Sequence, residues 1–254
     1  GSFNLTGGTL NLSTGVDKAL TSLTLSAGTL TGSDDITVSG AFNWTGGTLS
    51  GTGLLTTNGT STLSSVSHSL NRNWTNAGTI DWTAGNMYIN NVTLTNNGTV
   101  NLSGGSNVNF NGGTPIVSNS GTGVINVNND FAFNGGIQFD NTGAVNIDPL
   151  TAGAVTLTVA SAGTHTGTWN SGQAGDLLLF NASNSYTAGS MAGAGNIQFA
   201  GGVHNFDSGY SVVSTELLVS GATVNFNAGA IYGFTSGSFN LTGGTLNLST
   251  GVDK

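Results

Sequence analysis

Residues 1–18 read GSFNLTGGTLNLSTGVDK, and the same eighteen letters return without a substitution at 237–254. Identity over such a stretch is not chance, and self-similarity at a fixed period constrains a fold more than any local signal. The period runs from Gly1 to Gly237. The expected organisation is one long repeat unit over 1–236, with 237–254 opening the next identical unit.

A shorter repeat runs inside the long one. LTGGTL (5–10), LSAGTL (25–30), WTGGTL (44–49), WTNAGTI (74–80) and LTNNGTV (94–100) place turn glycines at Gly8, Gly28, Gly47, Gly78 and Gly98, with spacings of 20, 19, 31 and 20. Apolar residues alternate on either side of each turn, as in Phe3, Leu5, Leu10 and Leu12 or Leu94, Val100 and Leu102. Period-two alternation belongs to strands with one buried face. Short strands joined by glycine and asparagine turns every about 20 residues predict an all-β parallel β-helix, or β-solenoid, each unit being one coil stacked on the last. The expected core holds Phe3, Leu5, Leu10, Leu12, Leu25, Trp44, Trp74, Trp82, Leu94, Val100 and Leu102. Trp44 and Trp74 fall at the position of Leu5, Leu25 and Leu94. Triplets such as Val100-Asn101-Leu102, Ile125-Asn126-Val127 and Val145-Asn146-Ile147 should point their asparagines outward, where stacked amides can bond along the axis.

Two stretches depart from this pattern. The longer step between Gly47 and Gly78 implies a bulged coil or a changed register. Arg72, in that interval, is expected to turn outward, because an unpaired guanidinium in a core is costly. The segment near 150–180, with a continuous apolar strand at 177–180, reads as an irregular insertion packed outside the solenoid, a strand apolar on both faces being one that is covered on both.

Charged residues make up 6% of the chain against roughly 25% in an ordinary globular protein. With three Lys and Arg and a net charge of −8, the chain lacks the cationic surface that phosphate backbones require, so no nucleic-acid partner is expected. Cysteine is absent, which excludes disulfides and thiolate metal sites. No apolar run approaches the roughly 20 residues of a membrane span. His68, His165 and His204 stand singly, without zinc-ligand spacing, and the pair Asp34-Asp35 reads as a solvated turn rather than a Ca²⁺ loop. No metal, cofactor or catalytic residue is assigned. Trp169 and Tyr186, in the irregular segment, are the ligand-stacking candidates.

The strings TGGTLSGTGLLTTNG (45–59), WTNAGTIDWTAGNMYINN (74–91), NNGTVNLSGGSNVNF (96–110) and GAGNIQFAGGVHNF (193–206) resemble the passenger regions of bacterial filamentous-haemagglutinin-like and autotransporter-like adhesins. That resemblance implies a right-handed coil and an extracellular, cell-surface setting; it carries over no functional residue. The function expected is that of a structural or adhesive fibre, not an enzyme. Its partners would be identical neighbouring repeats, in the same chain or stacked head to tail, and surface glycans or other cells. A carbohydrate-binding adhesin module is the nearest alternative. An ice-binding solenoid is weakened because Thr29-Leu30-Thr31 is not matched at Thr9-Leu10-Asn11 or Thr48-Leu49-Ser50, and a polysaccharide-degrading enzyme by the dispersal of the carboxylates.

Overall fold

The computed structural model describes residues 1–147, 153–234 and 237–249. Within them the chain winds into a parallel β-solenoid of twelve coils, each with three strand segments, so that three walls run the length of the molecule. A representative coil has Thr99–Leu102 on the first wall, Ser106–Phe110 on the second and Ile116–Asn119 on the third. In the early coils the first two walls share one long bent strand, as in Ser2–Asn11 and Thr79–Ile89. For this reason walls one and two form one 20-stranded sheet and the third a separate 12-stranded sheet. Pairing between adjacent coils is parallel and in register along each wall, with shifts where the long strands bend between walls one and two, near Thr6 and near Ala84, and alternate side chains fill the interior.

On the first wall the inward column runs Leu5, Leu25, Trp44, Leu63, Trp82, Leu102, Val127 and Ile147. Of the residues expected in the core, all are buried except Phe3, Leu5 and Leu10, which point inward but stay half-exposed, because their coil has a stacked neighbour on one side only. Trp74 does not share a column with Trp44: it lies on the third wall between Leu55 and Leu94, and the two indole rings meet across the interior at 6.0 Å.

The long interval comes from the corners at which the glycines stand. Gly8, Gly28 and Gly47 turn the chain between walls one and two, with φ of 71°, 81° and 81°. Gly40, Gly59, Gly78, Gly98, Gly143 and Gly167 turn it between walls three and one, stacked so closely that a Cβ on most of them would fall within 3.0 Å of a carbonyl oxygen one coil away. The step from Gly47 to Gly78 therefore passes from one corner to another, which is the changed register the spacing implied, and the pairing of Thr60–Asn71 in this interval is also shifted at its corner, between Leu63 and Ser67.

The segment near 150–180 is also regular where it is described; residues 148–152 of it lie outside the described set. Thr156–Val159, Gly163–His165, Thr168–Ser171 and Leu177–Phe180 are ordinary wall strands in register with their neighbours. Leu178 and Phe180 face in, while Leu177 and Leu179 face out and are half-buried.

Candidate functional site

Neither ligand-stacking candidate offers a face to solvent. Trp169 is 1% exposed and Tyr186 0%. Trp169 stands edge-on to Phe139 and Phe180 at 5.8 and 5.4 Å, and Tyr186 lies flat on Phe206 at 4.2 Å. Both belong to an interior file of aromatic rings, which replaces the stacking role.

That file grades into a buried polar column along the edge of the third wall. Thr57, Asn76, Asn96, Asn119, Asn141, His165 and Tyr186 succeed one another coil by coil. Each asparagine Nδ2 donates to the Oδ1 of the next at 2.8 Å, from Asn76 through Asn96 and Asn119 to Asn141. The second amide proton goes to a backbone carbonyl past the corner: Thr99 for Asn76, Val124 for Asn96, Ala144 for Asn119 and Thr168 for Asn141. The amides are 0–3% exposed, so these bonds satisfy corner groups that water does not reach. His165 continues the column by accepting the Asn141 backbone N–H at Nδ1, with Nε2 3.0 Å from Asn184 Oδ1. Tyr186 Oη meets His204 Nδ1 at 3.3 Å. Burial lowers the pKa of both His165 and His204 to about 4 and raises that of Tyr186. All three are neutral at pH 7.

The outer ladder expected on the first wall is present. Asp81, Asn101, Asn126, Asn146 and Asn170 are joined by side-chain bonds of 2.8–3.0 Å. A shorter one on the third wall links Asn205, Asn225 and Asn247, each bond 2.7 Å.

Asp34 and Arg72 both overturn their expected placement. Asp34 is 3% exposed rather than solvated. Its carboxylate accepts the backbone N–H groups of Thr14 and Gly15, the Thr14 hydroxyl, and Lys18 Nζ at 2.9 Å, and the Thr14 N–H above all holds its pKa well below the carboxylate range. Arg72 is 0% exposed and points into the stack. Its guanidinium donates to the carbonyls of Gly32, Ser50 and Asp34, tying three coils together at one corner. Desolvation lowers its pKa, opposed by the nearby charges of Asp35 and Asp34. Four other acids are used alike: Asp176 accepts the N–H groups of Val155 and Gln173, Asp130 that of Thr156, Asp140 that of Thr164 and Asp35 that of Leu54. Among the described residues, no group of three or more His, Asp or Glu is placed to hold a metal ion.

A concavity runs along the corner between walls two and three. It has a volume of about 780 Å³, a floor of small residues including Gly136, Ala160 and Ala162, and Thr114, Gln138 and Thr164 on its sides, with no ionisable side chain in its lining. Phe110, 45% exposed, lies against Gly136 at its head.

Fold and site together define the class: a β-solenoid of about twelve turns whose polar residues serve the stacking of its coils. No protein-family model matches the chain, and neither the curated proteins nor the solved structures give a significant match.

Proposed function

We propose that the chain is a segment of an extracellular structural or adhesive fibre, a cell-surface filament built from tandem copies of the long unit. The observation that carries this reading is the use made of the polar groups: inner amide ladder, outer ladder and acidic staples all run between coils along the axis. A chain with only 6% charged residues that spends its carboxylates on backbone N–H groups is suited to length and stiffness. The eighteen-residue repetition supports serial units. So does the resemblance to bacterial surface adhesins, whose passenger regions share these Gly-Thr-Leu and Asn-Gly-Thr strings. Denaturing electrophoresis of native surface material tests the proposal. Very large polypeptides reactive to an antibody against this chain are expected, and a single small intracellular species would refute it.

A carbohydrate-binding module is a second reading, favoured by the uncharged corner groove with the exposed Phe110 at its head. Neutral sugars bind through hydroxyl hydrogen bonds and ring stacking without needing ions. Titration calorimetry with neutral polysaccharides is expected to show binding that Phe110→Ala weakens; absence of heat with every such polymer would end this reading.

A further inference from the structure

The two copies of the eighteen-residue stretch do not occupy equivalent places. In the first copy, residues 3–5 lie on the first wall beside 23–25, and 9–11 lie on the second beside 29–31. In the second copy, Phe239–Leu241 pairs with 217–219 on the second wall, and Thr245–Leu248 pairs with Thr223–Phe226 on the third. The same Gly-Gly turn bends the chain in both, with Gly8 at φ 71° and Gly244 at φ 85°, but at different corners. One copy lies in the first coil and the other in the twelfth, so the unit from Gly1 to Gly237 advances eleven coils and one wall. The repeat continues, but not in the same angular register.

We infer that successive units in a tandem chain are each turned by one wall, a third of a revolution, about the fibre axis, so that three units close on thirty-four coils. This rests on the tandem-fibre reading for its biological setting. Its physical basis is that the same Gly-Gly turn is made at two different corners, by Gly8 in the first copy and Gly244 in the second, and that all three walls carry the same in-and-out alternation, so nothing local holds the motif to one wall. The seam is chemically ordinary: Asn247 Nδ2 donates to Asn225 Oδ1 at 2.7 Å, extending the third-wall ladder into the second copy. The consequence is a surface that repeats on every side. The outer amide ladder and the corner groove, each confined to one side of a unit, would be presented in three directions along a fibre, so that a partner meets the same surface whichever way it approaches.

Two measurements test this. The chain has no cysteine, so introduced ones report alone. In the chain as it stands, Asn225→Cys with Asn247→Cys places the pair on adjacent parallel strands, about 4.8 Å apart and within disulfide reach. Cross-linking under mild oxidation is expected, and its absence would overturn the placement of the second copy on the third wall. In a chain of three consecutive long units, Thr37→Cys in each unit, an exposed third-wall position, is biotinylated and marked with streptavidin for electron microscopy. Labels on three different sides in succession are expected; labels all on one side would overturn the rotation. Native material without consecutive units would remove the fibre reading instead, and would leave the geometry of the labelled chain readable as before.

Discussion

Asn119 accepts a hydrogen bond from Asn96 and donates to Asn141 and to the Ala144 carbonyl, all out of reach of water. Asn119→Ala strands a donor above and two acceptors below. Since each buried unsatisfied group costs about 1–3 kcal/mol, a loss of about 3 kcal/mol or more is expected in denaturant unfolding. Arg72 poses the same question for a charge. Arg72→Met frees three carbonyls and is expected to lower the unfolding midpoint markedly, and Arg72→Lys should rescue little, because a single ammonium cannot reproduce the fork that serves three carbonyls in the two preceding coils. A midpoint for Arg72→Lys equal to that of the original chain would contradict this role. Both features had a trace in the sequence. Alternation from the inward Trp74 and Leu94 points Asn76 and Asn96 inward as well, but an asparagine two residues before a glycine also reads as a turn, and only stacking shows that it is both. The Arg72 partners are carbonyls, and a sequence carries no sign of where carbonyls lie.

Each element depends on its neighbour one coil away more than on its own residues. At the corner between walls three and one, Gly98 lies so near Gly78 that a Cβ would fall within 3.0 Å of its carbonyl oxygen, whereas a Cβ on Gly105 meets nothing nearer than 3.9 Å. Gly98→Ala is therefore expected to cost about 3 kcal/mol or more and Gly105→Ala close to nothing, in paired thermal melts. Within a wall, Leu94 is 5% exposed in its column. Leu94→Asp would place an unpaired charge there and is expected to abolish cooperative unfolding at neutral pH, as circular dichroism would show. The strands and their alternation were legible because period two is a local property. That Gly47 and Gly78 serve different corners was not, because each is followed by Thr and an aliphatic residue, Thr48-Leu49 and Thr79-Ile80, and looks alike in the sequence.

For the whole molecule, the buried histidines set an acid limit. His165 and His204 have pKa values of about 4 in the folded chain against about 6.5 unfolded, so the unfolded chain binds more protons between those values and stability falls as pH drops through that interval. Each contributes up to about 3 kcal/mol by pH 4, from about 1.4 kcal/mol per unit. Asp34 acts lower: its carboxylate, held below the usual range, stabilises the fold above about pH 4 and loses that effect as pH falls further. A melting temperature flat above pH 7 and falling steadily from about 6.5 to 4 is expected, with His165→Asn making the slope shallower; a flat curve down to pH 4 would contradict it. The fold class, the coil length of about 20 residues and most of the core could be read from the letters alone, because alternation and turn chemistry act between residues near in the chain. Packing between coils was needed to show that Asn76, Asp34 and Arg72 work inside the stack, that the stretch 153–180 is ordinary coil, and that the two identical eighteen-residue stretches lie on different walls. Those outcomes depend on which coil lies above and below, and that is the accumulated sum of every coil length from the first turn onward.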